Sequence, residues 1–345
     1  LDRMQGMSRR TTGWMLAALV ASTAMPAWGQ TPAPVPPPAG EVVDLAPVVV
    51  TGVQPGPGLW QVTAPNGHTL WILGTVTPLP KKIDWRADEV KAVIDSADAV
   101  LSSPGWTVDA DVGFFGRLTL IRPAMKAAHD PEGRRLEEIL PPDVYARWLR
   151  LKQPYLGRDR GVVKDRPLVR APRLYAAARD KVGLEQRSPV PKVLEKAYKA
   201  RGLKPVETRV VIKVDDPRTA LKEMRANALD DVQCLERTMD RVEPQLPLLV
   251  ERANAWSVGD IEALQRLSTE SPYDACIGAI TRSAFGQRRG LGDLDARAAQ
   301  TWMTAARKSL DDHNVVFATV PVYLLVSPSG YLDRLRQAGY TVQSP

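Results

Sequence analysis

The sequence predicts an α/β domain with a mixed central sheet formed by its N- and C-terminal segments and a largely helical middle region. Two apolar, β-type runs lie early, at 59–62 and 70–76, and a third lies late, at 315–320. Between them, from about 114 to 267, apolar residues recur mainly at helical spacing. Of the 345 residues, 44% are hydrophobic and 25% charged, enough to bury a core of that size. Three segments divide the chain: a signal peptide at 1–29, a Pro-rich linker at 30–58 and the domain at 59–345.

The N-terminal segment reads as an export signal. Ser8-Arg9-Arg10 is a basic start, Trp14 to Met25 is a short apolar run, and Ala27-Trp28-Gly29 places small residues for cleavage before Gln30. Met7 is the expected initiator. The apolar run falls short of the roughly 20 residues of a membrane span, so no stable transmembrane segment is expected after processing. Gln30 to Gly40 has the composition of an extended tether. Val42 to Val50 is β-branched, but Pro47 and the flanking prolines favour a tether there too.

Within the domain, Leu59 to Val62 and Leu70 to Thr75 flank Pro65-Asn66-Gly67, a hairpin turn signal. The second strand ends at Gly74, where a backbone or ligand can approach closely, and Pro78 and Pro80 stop the pattern. Trp85 to Ala97 has helical spacing, with Asp84 placed to cap it, and Ala99 to Leu101 is a short buried strand. Further helices are expected after Pro141-Pro142-Asp143, at Arg173 to Lys181 and at Val193 to Ala200. Others are expected as one long element over Pro217 to Arg241, from about Glu243 to Trp256, and from Gly259-Asp260 to Leu267. Val315 to Val320 is a strand, and Gly330 to Val342 a helix, a glycine stop and a last strand.

Several of these runs resemble the TraB/GumN family, which includes the Tiki-type metal-dependent proteases. The resemblance is carried by Leu59-Trp-Gln-Val with Leu70-Trp-Ile-Leu-Gly-Thr-Val76, by Arg166-Pro167, by Gly202 to Thr208, by Arg252 to Ile261 and by 315–342. It implies a metal site at strand ends: a Gly-x-x-His after the first long strand, a Glu after the second, and another Gly-x-x-His near the C-terminus. Aligned on these motifs, Gly74 is retained, and Thr77 stands at the first His position. Ser103 stands at the Glu position, and Pro321 and Leu324 at the second Gly and His. Glu207, at the end of a short strand over 202–208, is the one acidic family position kept.

A catalytic metal needs about three converging N or O ligands and an open position. Thr77, Ser103 and Leu324 supply none that is strong, and Glu207, Asp84 and Asp98 are the carboxylates left to hold Mg²⁺ or Mn²⁺. The three histidines, His68, His129 and His313, sit in turn-like contexts. No GxSxG, HExxH or phosphate-loop pattern occurs. The resemblance with its motifs lost implies an exported pseudoenzyme, periplasmic or secreted, that binds or scaffolds without a cofactor or metal. The alternative is a divergent metal-dependent peptide hydrolase using replacement ligands.

Cys234 and Cys276 are the only thiols. In an exported chain one disulfide is the default, with two buried reduced thiols as the alternative. The net charge of +7 is local, with eleven Lys or Arg against three Asp between Arg147 and Lys181. Interleaved with Trp148, Tyr155 and Tyr175, that stretch reads either as a surface for an anionic envelope component or as a solvated helical face. Export makes nucleic acid an unsuitable partner.

Overall fold

A computed structural model describes residues 56–110, 112–157, 165–227, 229–267 and 272–345. The signal and most of the linker expected from sequence, with the β-branched run at 42–50, lie outside the described residues.

The domain opens with a hairpin of β1 (Leu59–Thr63) and β2 (Thr69–Thr75). A short β3 (Leu79–Pro80), α1 (Asp88–Ser96), β4 (Ala99–Leu101), β5 (Trp106–Asp109) and α2 (Phe114–Ala128) follow. The middle runs through α3 (Leu136–Ile139), α4 (Pro142–Leu156), α5 (Pro167–Lys181), β6 (Leu184–Glu185), α6 (Val190–Ala200) and β7 (Val210–Lys213). It continues as α7 (Pro217–Ala226), α8 (Asp231–Val242), α9 (Leu246–Val258), α10 (Ile261–Arg266), α11 (Pro272–Thr281) and α12 (Ala284–Arg288). Helix α13 (Leu294–Asp312) leads into β8 (Val315–Pro321), α14 (Val322–Val326), α15 (Tyr331–Gln337) and β9 (Thr341–Gln343).

The central sheet has five strands in the order β4-β8-β2-β1-β9. Strands β4, β8 and β2 are parallel, whereas β1 is antiparallel to both β2 and β9. The sheet is therefore mixed and built from both ends of the domain, as the hydrophobic pattern indicates. Period-two alternation sorts its side chains to two faces. Leu70, Ile72, Leu101, Val316, Ala318 and Val320 pack with Trp302, Leu310, Tyr331 and Leu335 from α13 and α15. Leu59, Leu73, Val100 and Phe317 face the larger core, which takes in α1, α4, α5, α8 and α9.

Helix boundaries follow local chemistry. Asp260 caps α10 by accepting from the Ala263 N–H at 2.9 Å. Gly259 ends α9 at φ 70°, and a Cβ there would stand 2.6 Å from the Gly56 carbonyl oxygen, so this stop requires glycine. Proline occupies the first turn of α4, α5 and α7, where its missing N–H leaves no bond unmade.

Four expectations are corrected. Helix α1 starts at Asp88 with Ala87 at its cap, so Asp84 caps nothing; Trp85 instead packs on Trp256 with ring centroids 5.5 Å apart. The long helix over 217–241 is two, because Asn227 turns extended after α7 and its side chain donates to the Glu223 carbonyl at 2.6 Å. The restart at Asp231 places that carboxylate 2.5 Å from Arg166 Nε in a buried ion pair. Burial pushes the Asp231 carboxyl up against the opposing pull of Arg166. The strand expected over 202–208 is a single parallel bridge of Val206 to Leu101, and the regular strand lies later, in β7. The helix expected from Glu243 begins at Leu246.

Cys234 and Cys276 are bridged across a sequence separation of 42 with Cα atoms 4.6 Å apart. The bridge joins α8 to α11. Closing a loop of that length contributes about 4 kcal/mol in chain-entropy accounting. Non-reducing peptide mapping is expected to recover the linked pair, and Cys276→Ala to lower the free energy of unfolding in urea by about that amount. Two alkylatable thiols in the native protein would refute the pairing.

Candidate functional site at the strand ends

In an open α/β sheet, ligands collect beyond the C-terminal ends of the parallel strands. Here those ends belong to β2, β8 and β4, aligned so that Gly74 pairs with Val320 and Thr75 with Pro321. Four of the sequence-chosen positions lie at or beside this edge: Gly74, Thr77, Ser103 and Pro321. Glu207 joins them through the Val206 bridge to β4.

Gly74 is closed in by packing. A Cβ added there would lie 2.6 Å from the Trp60 ring and 2.8 Å from Val322 Cγ2. The approach that a strand-end glycine permits is thus taken up by two apolar side chains of the same chain. Backbone acceptors at this edge are also claimed. Trp256 Nε1 donates to the Gly74 carbonyl at 2.7 Å, and Arg252 Nη2 donates to the Thr77 carbonyl at 2.7 Å. Helical spacing of four residues puts Arg252 and Trp256 on one face of α9. Burial pulls the Arg252 guanidinium below its ordinary value.

Ser103 Oγ lies 2.6 Å from Thr319 Oγ1, a hydroxyl pair bridging β4 and β8. Next to it, Ser102 Oγ accepts from the Thr208 N–H at 2.9 Å and donates to Glu207 at 3.1 Å. Thr208 Oγ1 donates to the Ser102 carbonyl at 2.9 Å. Glu207 is gripped by Arg209, whose Nε and Nη2 donate at 2.8 and 2.6 Å. The Arg209 hydrogen bonds hold the Glu207 carboxyl well below its usual range, at about 2. Leu324 does not join this group; it lies on α14 and packs against the core on the α13 and α15 side.

The other candidate ligands are elsewhere. Asp98 accepts from the Val315 N–H at 3.0 Å, at the opposite end of the sheet, and Asp84 is exposed before α1. His68 precedes β2 and contacts the Leu310 carbonyl at 2.6 Å through Nδ1; His313 precedes β8. His129 lies 2.8 Å from Asp165. Among the described residues, no group of three His, Cys, Asp or Glu is placed to hold a metal ion. Among the described residues, the donors at the strand ends are hydroxyls, the bonded carbonyls of Gly74 and Thr77, and one carboxylate paired with arginine. These residues do not fit a catalytic metal, and no chemical step is derived through one.

The sequence profile of the TraB/PrgY/gumN family matches residues 58–344. The chain belongs to that family. No curated protein and no solved structure matches it. Within this TraB/PrgY/gumN domain, sequence reasoning chose Ser103 and Glu207 and missed their partners Thr319, Ser102, Thr208 and Arg209. Arg209 was legible, standing two residues after Glu207; Thr319 became a neighbour only through strand register.

The basic stretch 147–181 is also redistributed. Arg147 reaches Asp240 and Glu243 at 2.8 and 2.7 Å, and Arg166 pairs with Asp231. Arg173 reaches Asp165 at 3.5 Å and Arg179 reaches Asp180 at 2.7 Å. Among the described residues, Arg147 and Arg166 thus tie helices to their neighbours; residues 158–164 lie outside the described residues.

Two outcomes are expected here. Gly74→Ala forces a methyl group against Trp60 and Val322 and is expected to cost about 1–3 kcal/mol in urea unfolding. An unchanged midpoint would show that the contact relaxes freely. The lowered pKa of Glu207 means its contribution to stability is present above the ordinary 4.5 and lost as pH falls toward about 2. The stability gap between the unmodified protein and Glu207→Gln is therefore expected to be small, because the pair is half exposed, and to shrink across that window. A gap constant from pH 6 to pH 2, on the order of that window, would refute the assignment.

Proposed function

We propose that this TraB/PrgY/gumN-family chain is an exported protein, periplasmic or secreted, that binds or scaffolds in the cell envelope without metal-dependent hydrolysis. The observation that carries the reading is the Glu207–Arg209 pair beside the Ser103–Thr319 hydroxyl pair. At this edge a hydrolytic metal site needs deprotonated ligands aimed at a common point with a free position for water. The side chains here bond one another, and Gly74 is packed under Trp60 and Val322. A disulfide between α8 and α11 accords with an oxidising compartment, and the basic start with a short apolar run supports export with a mature chain beginning near Gln30.

The decisive experiment is elemental analysis of dialysed protein together with peptide hydrolysis in added Mn²⁺, Co²⁺ and Zn²⁺. Substoichiometric metal and no chelator-sensitive turnover are expected. Stoichiometric metal, or turnover abolished by chelator and restored by metal, would replace this reading with a divergent peptide hydrolase.

A further inference from the structure

Helix α2 carries an apolar stripe on its outer side. Phe115 is 79% exposed, Leu118 51%, Ile121 52% and Met125 58%. Spacings of three and four residues align these side chains along one face of the helix. The opposite face, with buried Ala127 and half-buried Leu120, is the one turned to the domain, where α2 packs against α7. The hydrophobic pattern is thus inverted relative to an ordinary surface helix, whose apolar stripe faces the core.

Charge frames the stripe. Arg117 borders one edge, Arg122 and Lys126 border the other, and α2 contains no acidic residue. Large apolar side chains flanked by cations are the composition of a helix that lies in a bilayer interface, its apolar side chains in the acyl boundary and its cations among anionic headgroups. A second copy of the chain is a poorer occupant, because antiparallel or parallel apposition of two such helices would bring six cations together without a counter-charge. Among the described residues no helix is long and apolar enough to cross a membrane, so α2 would lie on a surface rather than span it.

We propose that α2 is a membrane-interface element that docks the domain on an anionic phospholipid surface through Phe115, Leu118, Ile121 and Met125, with Arg117, Arg122 and Lys126 as the headgroup contacts. The proposal does not depend on whether the strand-end residues hold metal. It also assigns the polyanion contact to α2 rather than to the basic stretch 147–181, several of whose described arginines are paired within the fold.

The test is co-sedimentation of the exported chain, beginning near Gln30, with vesicles of phosphatidylcholine alone and with a phosphatidylglycerol admixture, at low and high salt. Binding is expected to need the anionic lipid and to weaken with salt. Replacing Arg117, Arg122 and Lys126 by Gln is expected to weaken it on the order of a hundredfold, and Phe115→Ser with Leu118→Ser by at least about tenfold. Because these side chains are exposed, near-ultraviolet circular dichroism and the urea midpoint are expected to stay as in the unmodified protein. Absence of binding to anionic vesicles at low salt would overturn the proposal, as would binding indifferent to both variants. Self-association abolished by the apolar substitutions, without vesicle binding, would assign the stripe to a second copy instead.

Discussion

The parallel ladder between β2 and β8 is the constraint on which the rest of the structure depends. It pairs Thr69 through Thr75 with Val315 through Pro321, joining the two ends of the domain with nearly all of the helical middle held between them. Closing so long a loop is entropically costly, and a ladder alone does not offset it. Burial does: Leu70, Ile72, Val316, Ala318 and Val320 are sealed under α13 and α15, and Leu73 and Phe317 under the helices of the middle. β4 and the β1–β9 pair then extend the sheet on either side of a core already formed.

The same ladder explains why the strand ends look as they do. With Gly74 opposite Val320 and Thr75 opposite Pro321, the chain leaves β8 beside Gly74, which Trp60 and Val322 both approach. Proline at 321 offers no N–H to prolong the ladder, so the chain turns at once into α14. Trp256 and Arg252 from α9 then satisfy the carbonyls at Gly74 and Thr77, fixing α9 to the sheet. What the family resemblance marks as a site rim is, in this chain, a junction between the sheet, α9 and α14.

Electrostatics follow a similar division between inside and outside. Arg147 and Arg173 are paired with carboxylates of neighbouring segments, and at the buried Arg166–Asp231 pair desolvation outweighs the attraction, so the Asp231 carboxyl stays raised. Arg117, Arg122 and Lys126 sit on a helix without acids, beside apolar side chains that the fold leaves exposed. Equal formal charges in one sequence therefore carry different meanings, decided by what packs against them.

The sequence by itself determined the fold class, the hairpin around Pro65-Asn66-Gly67, the terminal strands, most helices and the family, because these rest on local periodicity and short-range turn chemistry. The resemblance also set Thr77, Ser103, Pro321 and Leu324 against an expected metal-ligand pattern, an expectation that rests on residue type alone. Sequence reasoning misjudged Trp85, which belongs to the helical period but packs on Trp256, and it ran α7 and α8 together, because the break at Asn227 serves contacts distant in sequence. Only the tertiary structure paired Ser103 with Thr319, closed Gly74 under Val322 and turned the apolar side of α2 outward. Each of these depends on strand register or on helix packing across the domain, and neither leaves a mark in the residues nearby.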